Sequence, residues 1–229
     1  VDPRAIGARV HRHLARGAAG RLDETPKPGS RAARACPTLL VAGNATAQAA
    51  VVAWARARGI LDVVRLRHPV SGDGAAAARR LARAIRRVRA AARGSAPILI
   101  VAGGETTVHL DGDSGRGGRN QELAVRVAAE LAGVPGWAIL CAGTDGIDGP
   151  TRAAGAFADG ATAARAAHAG RPLETALRRH DVHPCLAALG DRFMPGPTGT
   201  NVADVTFALV WKDRGWRLPG RVLQPTSRR

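Results

Sequence analysis

The amino-acid sequence predicts an α/β protein in which part of a parallel sheet is followed by a mixed sheet. Two observations support this fold class. Between residues 37 and 102, short apolar runs alternate with helix-period segments, which is the βαβαβ order of a parallel sheet covered by helices on both faces. After residue 104 this order ends, and glycine-rich loops separate strands that follow another arrangement.

The predicted parallel region begins at residue 38. Its predicted strands are residues 38–43, 61–66 and 98–102, and its predicted helices are residues 46–58 and 74–93. Gly59 ends the first of these helices, as glycine commonly does. The third strand is apolar throughout, which is typical of a strand buried on both faces. Only a helix at residues 6–15 and a polar connector come earlier, so we expect the front of this sheet to be missing.

The second region contains strands and helices in a mixed order. It comprises a strand at residues 106–111 that forms a hairpin with 98–102, a helix at 120–131, a strand at 137–142, a helix at 157–167 with shorter helical pieces to residue 189, and a strand at 204–211. We therefore predict three parts, which are residues 1–95, residues 96–211 and a basic tail at residues 212–229.

The net charge of +16 raises the question of nucleic-acid binding. Of the 34 basic residues only Lys27 and Lys212 are lysines, and the arginines are spread along the chain. The densest arginine run, residues 79–93, is predicted to be an amphipathic helix with an apolar stripe that includes Leu81 and Ile85. Its arginines then fall on the solvated face, which favours a surface role over a nucleic-acid site.

Composition and missing motifs exclude several classes of protein. No apolar run reaches the roughly 18–20 residues that span a bilayer, and no leader sequence is evident, so we expect a soluble, cytoplasmic protein with no membrane partner. The three cysteines form neither a CxxC motif nor a Cys/His cluster, which favours buried thiols in a reducing compartment. There is no P-loop, G-x-G-x-x-G fingerprint or nucleophile elbow, and most histidines are expected at the surface.

Four loops combine glycines with polar side chains next to the ends of predicted strands. They are residues 103–107, 115–122, 142–151 and 196–201. Open α/β sheets bind ligands outside the carboxyl ends of their strands, and glycines let backbone N–H groups approach anionic oxygens. Any one of these loops is also compatible with a plain turn, because Gly, Asp, Asn, Pro and Thr are turn residues. Four such loops at one sheet edge favour a ligand site.

The side chains in these loops suit a ligand that carries phosphate and carboxylate groups. Arg119 can hold either group through two parallel hydrogen bonds, and the helix that starts at Asn120 adds the favourable end of its dipole. Asp145 and Asp148 are hard oxygen donors for Mg²⁺ or acceptors for a hydroxyl proton. Two plainer roles stay open: Asp148 could start the Gly-Pro turn, and Asn120 could be a helix cap.

Five motifs follow one another along the chain, and they are GGETTV, GRGGRNQELA, AGTDGIDGPT, AAGAFAD and GPTGTNVAD. In their order and approximate spacing they resemble the glycerate 2-kinase family. The resemblance covers about residues 97–211, the part that is called the MOFRL domain in that family. Upstream, the segments ETPKPG, LLVAGNATA and SGDGAAAARRLA resemble the end of the family's N-terminal Rossmann-like domain more weakly. The resemblance implies a chain truncated at its N-terminus, with a Rossmann-like remnant before a mixed-sheet MOFRL domain.

The resemblance also implies an activity, which is the ATP-dependent phosphorylation of D-glycerate to 2-phosphoglycerate with Mg²⁺. By this analogy Arg119, Asp145 and Asp148 are catalytic, and the two aspartates are candidate Mg²⁺ ligands. The residues implied to bind substrate or nucleotide lie in the same loops and are Gly103, Gly104, Glu105, Thr106, Gly117, Gly118, Asn120, Gly143, Thr144, Thr198, Gly199, Thr200 and Asn201. Glycerate is the expected partner, no specific nucleic acid is expected, and a homodimer is the candidate assembly.

Two departures from the family pattern affect this expectation. Residues 72–75 read GDGA where the family usually has GEAR. The family's first domain also carries a glycine-lysine motif whose lysine is thought to assist catalysis, and neither Lys27 nor Lys212 matches it. We therefore expect this chain alone to be weakly active or inactive. Two alternatives are a hydroxypyruvate reductase, disfavoured by the missing dinucleotide fingerprint, and a non-enzymatic basic nucleic-acid-binding module.

Overall fold

The computed structural model describes residues 7–93, 96–110, 112 and 114–212, which form eight helices and eight strands. The helices are α1 (Ala8–Ala18), α2 (Arg31–Ala35), α3 (Asn44–Arg56), α4 (Gly74–Ala91), α5 (Arg119–Glu130), α6 (Thr162–His168), α7 (Leu173–Arg178) and α8 (Val182–Leu189). The strands are β1 (Val63–Arg65), β2 (Gly72–Asp73), β3 (Ile98–Gly103), β4 (Thr106–Thr107), β5 (Trp137–Gly143), β6 (Gly155–Asp159), β7 (Arg192–Phe193) and β8 (Asp204–Val210).

The chain divides into two compact units, of which the first ends at Val41 and the second begins at Ala42. In the first unit, α1 corresponds to the predicted helix at residues 6–15, and neither α1 nor α2 has a buried side chain. Ser30 caps α2, since its Oγ accepts a hydrogen bond of 3.1 Å from the Ala33 amide. The predicted boundary at Ser95 and nearly all of the predicted tail lie outside the described residues, so these divisions stay predictions.

The second unit contains a six-stranded mixed sheet in the order β1-β3-β8-β5-β6-β7. Only β1 and β3 pair in parallel, and each of the other neighbouring pairs is antiparallel. A second, two-stranded parallel sheet joins β2 to β4. The predicted α/β class with parallel and mixed pairing is therefore confirmed.

Most of the core lies on one face of the large sheet, beneath α4 and α5. Leu81 and Ile85 of α4 belong to one buried cluster with Ile100 of β3 and Ile139 of β5. Burying one such side chain stabilises the fold by about 1.5–3 kcal/mol. The opposite side of α4 is exposed and carries arginines, namely Arg79, Arg80, Arg83, Arg86 and Arg87. The predicted amphipathic helix with a solvated arginine face is thus confirmed.

The other face of the sheet is covered by α3 at the β1–β3 end. There Ala55 of α3 belongs to a buried cluster with Leu99 and Val101 of β3. Because β3 also faces α4, it is buried on both faces, as its apolar sequence predicts. At the other end of the sheet, Phe157 of β6 is 45% exposed and makes an edge-to-face contact with Phe193, with ring centroids 5.5 Å apart.

The predicted strand at residues 38–43 is wrong. Leu39, Leu40 and Val41 are 84%, 81% and 85% exposed, and no described strand pairs with this segment. An apolar run becomes a strand only when a neighbour satisfies its backbone N–H and C=O groups. Composition alone does not supply that neighbour.

The predicted hairpin of residues 106–111 with β3 is also wrong. Both edges of β3 are occupied, one by β1 and the other by β8, so no position beside it is left. Gly104 has φ of 127°, a conformation that L side chains rarely adopt, and it turns the chain away from β3. Residues Thr106–Thr107 then pair in parallel with Gly72–Asp73, while Asp111 lies outside the described residues.

The helix predicted at residues 157–167 starts later, because its first residues belong to β6. Antiparallel pairing with β5, from Ala142↔Gly155 to Ala138↔Asp159, holds them in the sheet. Tertiary pairing here overrides the helix preference of an alanine-rich segment. The two-residue strand β7 was not predicted, since two residues show no periodicity.

Candidate functional site

The four predicted loops meet at one edge of the large sheet. β3 and β5 end at this edge, and β8 begins there between them. The register shows this directly, because Gly103 pairs with Val205 and Gly143 pairs with Asp204. The amino end of β8 is therefore flanked by the carboxyl ends of two neighbouring strands, where open sheets place ligands.

Arg119, the first residue of α5, is held at this edge by Asp204, the first residue of β8. Its Nε and Nη2 donate to Asp204 Oδ2 and Oδ1 at 2.6 and 2.9 Å, which makes a bidentate pair. Nη2 also donates to Glu105 Oε1 at 3.2 Å. The Asp204 side chain is 5% exposed, whereas those of Arg119 and Glu105 are 38% and 50% exposed.

The charge of Arg119 is secured by this arrangement. The hydrogen bonds from Arg119 to Asp204 raise its pKa above the ordinary arginine value, although partial burial opposes the shift. No described residue accepts a hydrogen bond from Nη1 of Arg119. Within the described residues, one edge of this fixed, partly exposed guanidinium is therefore available to bind an anion.

Asp145 lies beside the Arg119–Asp204 pair. Its Oδ1 is 2.9 Å, and Asp204 Oδ1 is 3.5 Å, from the point that a Cβ on Gly143 would occupy. Both carboxylates therefore lie against the same side of Gly143, where a side chain would collide with Asp145. Asp145 Oδ1 accepts a hydrogen bond of 3.1 Å from the Ile147 amide, which fixes the side chain in a tight turn.

Asp148 is buried at the start of α5, where it accepts hydrogen bonds from four N–H donors. The donors are the backbone N and side-chain Nδ2 of Asn120, at 3.1 and 3.2 Å, and the backbone N and side-chain Nε2 of Gln121, at 2.9 and 3.1 Å. Burial raises the pKa of Asp148, and these donors oppose the shift. The residue at the N-cap position, Gly118, has no side chain to accept hydrogen bonds from the first amides of α5. Asp148, from a loop distant in the sequence, accepts them instead.

The loop at residues 196–201 is tied to the loop that carries Asp145. Thr198 Oγ1 donates to the Thr144 carbonyl, and the Thr198 amide donates to the Asp145 carbonyl at 3.2 Å. The Thr200 amide donates to Thr198 Oγ1 at 3.4 Å, while Gly199 between them has φ of 74°. These threonines hold two of the predicted loops against each other.

The other predicted binding residues lie in the same loops and partly serve to keep them close. A Cβ on Gly103 would overlap the Asn44 side chain, and a Cβ on Gly118 would overlap the Asp148 carboxylate. Thr106 is buried in the short strand β4. The rest are Gly104, Gly117 and Asn201.

Two residues at this edge were not predicted from the sequence. Asp204 closes the last glycine-rich motif and begins β8, and Asn44 begins α3. Nδ2 of Asn44 donates to the carbonyls of Val202 and Asp204, each at 2.9 Å. In the sequence, Asp204 could have been noticed because it stands where a glycine-rich motif meets a predicted strand. Asn44 could have been noticed because it follows a glycine just before a predicted helix.

A chain of buried polar side chains leads away from Asp148. Gln121 Nε2 donates to Asp148, and Gln121 Oε1 accepts from Nδ1 of His183 at 2.7 Å. Nε2 of His183 faces Nη1 of Arg192 at 3.3 Å. Burial, reinforced by the charge of Arg192, lowers the pKa of His183. His183 is therefore a neutral ring that donates at one nitrogen and accepts at the other, not a surface histidine.

A largely apolar cavity of about 410 Å³ adjoins the Asp145 loop. Its lining residues come from this loop and from the segment after β7, and they are Gly146, Ile147, Thr151, Arg152, Met194, Gly196 and Pro197. Ile147 and Met194 are about half exposed in its walls. Gly146, which follows Asp145 in the sequence, is one of the residues that line it.

The cysteines play no part in this arrangement. Burial raises the pKa of Cys141 to about 12 and also raises that of Cys185, so both stay protonated thiols. Cys36 is exposed, unlike the buried thiol expected from the sequence. Within the described residues, no helix is long and apolar enough to cross a membrane.

Comparisons with known proteins agree with this geometry. The MOFRL family model matches residues 98–204. The chain is 31% identical over 207 residues to the glycerate 2-kinase of Pyrococcus horikoshii, which covers 90% of this chain and 46% of that protein. It is 36% identical over 194 residues to a putative hydroxypyruvate reductase of Agrobacterium vitis, covering 82% of this chain and 42% of that protein.

A solved structure shares the fold as well. The glycerate kinase of Thermotoga maritima is 34% identical, with a TM-score of 0.67, and the match covers 73% of this chain and 40% of that chain. The chain thus spans less than half the length of these relatives. Its MOFRL domain, its relatives and its structural neighbour together establish that the chain, partial relative to them, belongs to the glycerate 2-kinase family.

Proposed function

We propose that the natural gene product containing this chain is a glycerate 2-kinase, which transfers the γ-phosphate of ATP to D-glycerate and forms 2-phosphoglycerate. The observation that carries this proposal is the half-exposed Arg119, fixed by Asp204 at a sheet edge beside Asp145. Phosphoryl transfer needs chiefly positioning and neutralisation of developing negative charge. A fixed guanidinium next to a carboxylate supplies both requirements.

Arg119 is proposed to bind the anionic groups of the reactants. Because Asp204 already occupies Nε and Nη2, the free Nη1 is directed at the carboxylate of glycerate or at the transferring phosphoryl group. The bidentate pair keeps the guanidinium in place before substrate arrives, so little reorganisation is required during the reaction. Glu105 accepts a hydrogen bond from Nη2 of Arg119 and is proposed to line the space beside the guanidinium where the substrate binds.

Mg²⁺ bound to ATP would neutralise charge on the phosphates, and the residues present fit an ion carried in by the nucleotide. Mg²⁺ is usually held by one or two carboxylates together with phosphate oxygens and water. Asp145 is the proposed carboxylate, because it lies close to Asp204, the partner of Arg119, at this sheet edge. Both carboxylate oxygens of Asp148 already accept hydrogen bonds from N–H groups. The described residues contain no group of three or more His, Cys, Asp or Glu that could hold a metal ion.

Asp148 is proposed to act on the site through α5. By capping the start of this helix it positions Arg119 and presents the helix N-terminus toward the loops. The remaining predicted residues are proposed to close around the substrate, with the threonine loop at residues 196–201 as the nearest wall. The cytoplasm, where ATP is available, is the proposed compartment, and the homodimer stays a prediction.

The two alternatives have less support. A hydroxypyruvate reductase would need a nicotinamide cofactor, yet the chain has no dinucleotide fingerprint, and the name attaches to a relative that is called putative. A nucleic-acid module is favoured only by positive charge, such as the exposed arginine face of α4, whereas the relatives reported above carry kinase or reductase names.

The test is an enzymatic assay of the natural gene product with D-glycerate and MgATP. We expect stoichiometric formation of ADP and 2-phosphoglycerate, followed through coupled conversion of 2-phosphoglycerate. Parallel reactions contain hydroxypyruvate with NADH or NADPH, for which we expect no oxidation of the nicotinamide. Absence of ATP turnover with glycerate would overturn the proposal, and nicotinamide oxidation would establish the reductase instead.

A further inference from the structure

The backbone just before β8 is held in a strained conformation. Ala203 has φ of 65°, in the left-handed region that L side chains other than Asn and Asp seldom adopt. A residue in this conformation persists only where its surroundings determine it, and such residues concentrate at functional sites. Ala203 directly precedes Asp204, the partner of Arg119.

The contacts around Ala203 explain how this conformation is maintained. Oγ1 of Thr144 donates to the Ala203 carbonyl and accepts from the Val202 amide, both at 2.8 Å. Oδ1 of Asn201 accepts from the Ala203 amide at 3.1 Å. Asn44 then uses its one amide nitrogen to donate to the carbonyls on either side of Ala203, those of Val202 and Asp204.

Asn44 is itself fixed by a hydrogen bond and by close packing against Gly103. Oδ1 of Asn44 accepts a hydrogen bond of 2.7 Å from Nε2 of Gln48, one turn further along α3. Gly103 leaves the space that this hydrogen-bonded pair fills, since a Cβ there would overlap Oδ1 of Asn44 and Nε2 of Gln48. Only a side chain with two N–H donors on one short stem can bridge both carbonyls, so neither Ala nor Asp can replace it.

We propose that Asn44 is a positioning residue for phosphoryl transfer, which acts by holding the strained turn at Ala203 so that the Asp204 carboxylate keeps Arg119 aligned. This inference rests on the proposed kinase function. It extends the site beyond residues 98–204, the segment that matches the MOFRL family, to the first turn of α3. Asn44 touches no reacting atom in this account.

The decisive experiment compares Asn44→Ala with wild type in the natural gene product, using steady-state kinetics with D-glycerate and MgATP. We expect kcat per folded molecule to fall roughly tenfold to hundredfold, because small displacements of a catalytic group have effects of this size. The matched control is Thr162→Ala, which removes a buried hydroxyl that accepts from the Asp159 amide at the other end of β6. The control should lower the melting temperature without a change in kcat.

A second measurement separates positioning from general stability. If Asn44 acts through Asp204, adding Asn44→Ala to Asp204→Asn should lower kcat by less than about threefold further, whereas independent effects would multiply. Should Asn44→Ala fail to fold, Gln48→Ala removes only the support of Asn44, and we expect kcat to fall at least about threefold.

The outcomes distinguish this inference from the function on which it rests. A wild-type protein without glycerate-dependent ATP turnover would overturn both. An active wild type whose kcat is unchanged by Asn44→Ala, or by Gln48→Ala when the first variant does not fold, would overturn the positioning role alone. Multiplicative effects with Asp204→Asn would likewise contradict it.

Discussion

At the scale of single residues, His183 gives the protein a built-in pH dependence. The ring is buried, donates to Gln121 and accepts from Arg192, and its pKa is lowered. The unfolded chain binds this proton near pH 6.5, while the native state binds it only at lower pH. The free energy of unfolding is therefore highest above pH 6.5 with respect to this group, and it falls as the pH decreases further.

We predict that His183→Gln makes the free energy of unfolding less dependent on pH. Between pH 7 and pH 5.5, the free energy of unfolding of wild type should fall more steeply than that of the variant, by at most about 1.4 kcal/mol per pH unit, the limit for one proton. The measurement is urea unfolding across this range. His168→Gln, at an exposed position, serves as the control and should keep the wild-type slope. Equal slopes in all three proteins would refute the role of His183.

The residues at the site also show what a sequence can and cannot reveal. Arg119, Asp145 and the threonines of residues 198–200 were predicted because glycines and polar groups cluster around them in the sequence. Asp204 was not, because its bond to Arg119 depends on β8 inserting between β3 and β5. Asn44 was missed for the same reason, since its partners lie at the far end of the chain.

At the scale of elements, the start of α5 depends on a residue from another loop. The helix has glycine at its N-cap position, and Asp148 supplies the acceptor for the amides of Asn120 and Gln121. A carboxylate at this end also interacts favourably with the helix dipole. The position of α5, and with it that of Arg119, therefore depends on the hydrogen bonds to Asp148.

We predict that Asp148→Asn lowers the free energy of unfolding by about 1–3 kcal/mol. The substitution removes a charged acceptor and turns an NH₂ group toward N–H donors inside the protein. Denaturant unfolding at pH 7.5 measures the effect. Asp62→Asn, at an exposed position, should change the free energy by no more than about 0.5 kcal/mol. If both substitutions had equally small effects, Asp148 would not be the cap of α5.

Helices and strands were predictable where their pattern of apolar residues is long and does not depend on which strand lies beside them. The helices α3, α4 and α5 and the strands β3, β5 and β8 lie close to their predicted positions. The errors fall where a neighbouring strand decides the outcome: residues 38–43 lack one, residues 106–107 find one in β2, and residues 155–159 are held by β5. Pairing partners are a property of the fold, not of the local sequence.

At the scale of the whole molecule, the mixed sheet brings the parts of the candidate site together. With β8 antiparallel to both its neighbours, one edge collects the ends of β3 and β5 and the beginning of β8. Loops that are far apart in the sequence then bring a guanidinium and several carboxylates together. The arginine face of α4 contributes little to this arrangement, because it lies on the outer side of the helix layer.

The effect of Arg119→Lys on glycerate-dependent ATP turnover by the natural gene product tests whether this sheet edge is a phosphoryl-transfer site. Lysine keeps a charge beside the buried Asp204 but loses the bidentate geometry. The matched control is Arg165→Lys, which alters a similar bidentate pair with Asp191 away from this edge. We predict that kcat/KM falls about 10²-fold or more for Arg119→Lys and stays within about threefold for Arg165→Lys, with similar melting temperatures. A kcat/KM for Arg119→Lys that matches the control would contradict the claim that this sheet edge is a phosphoryl-transfer site.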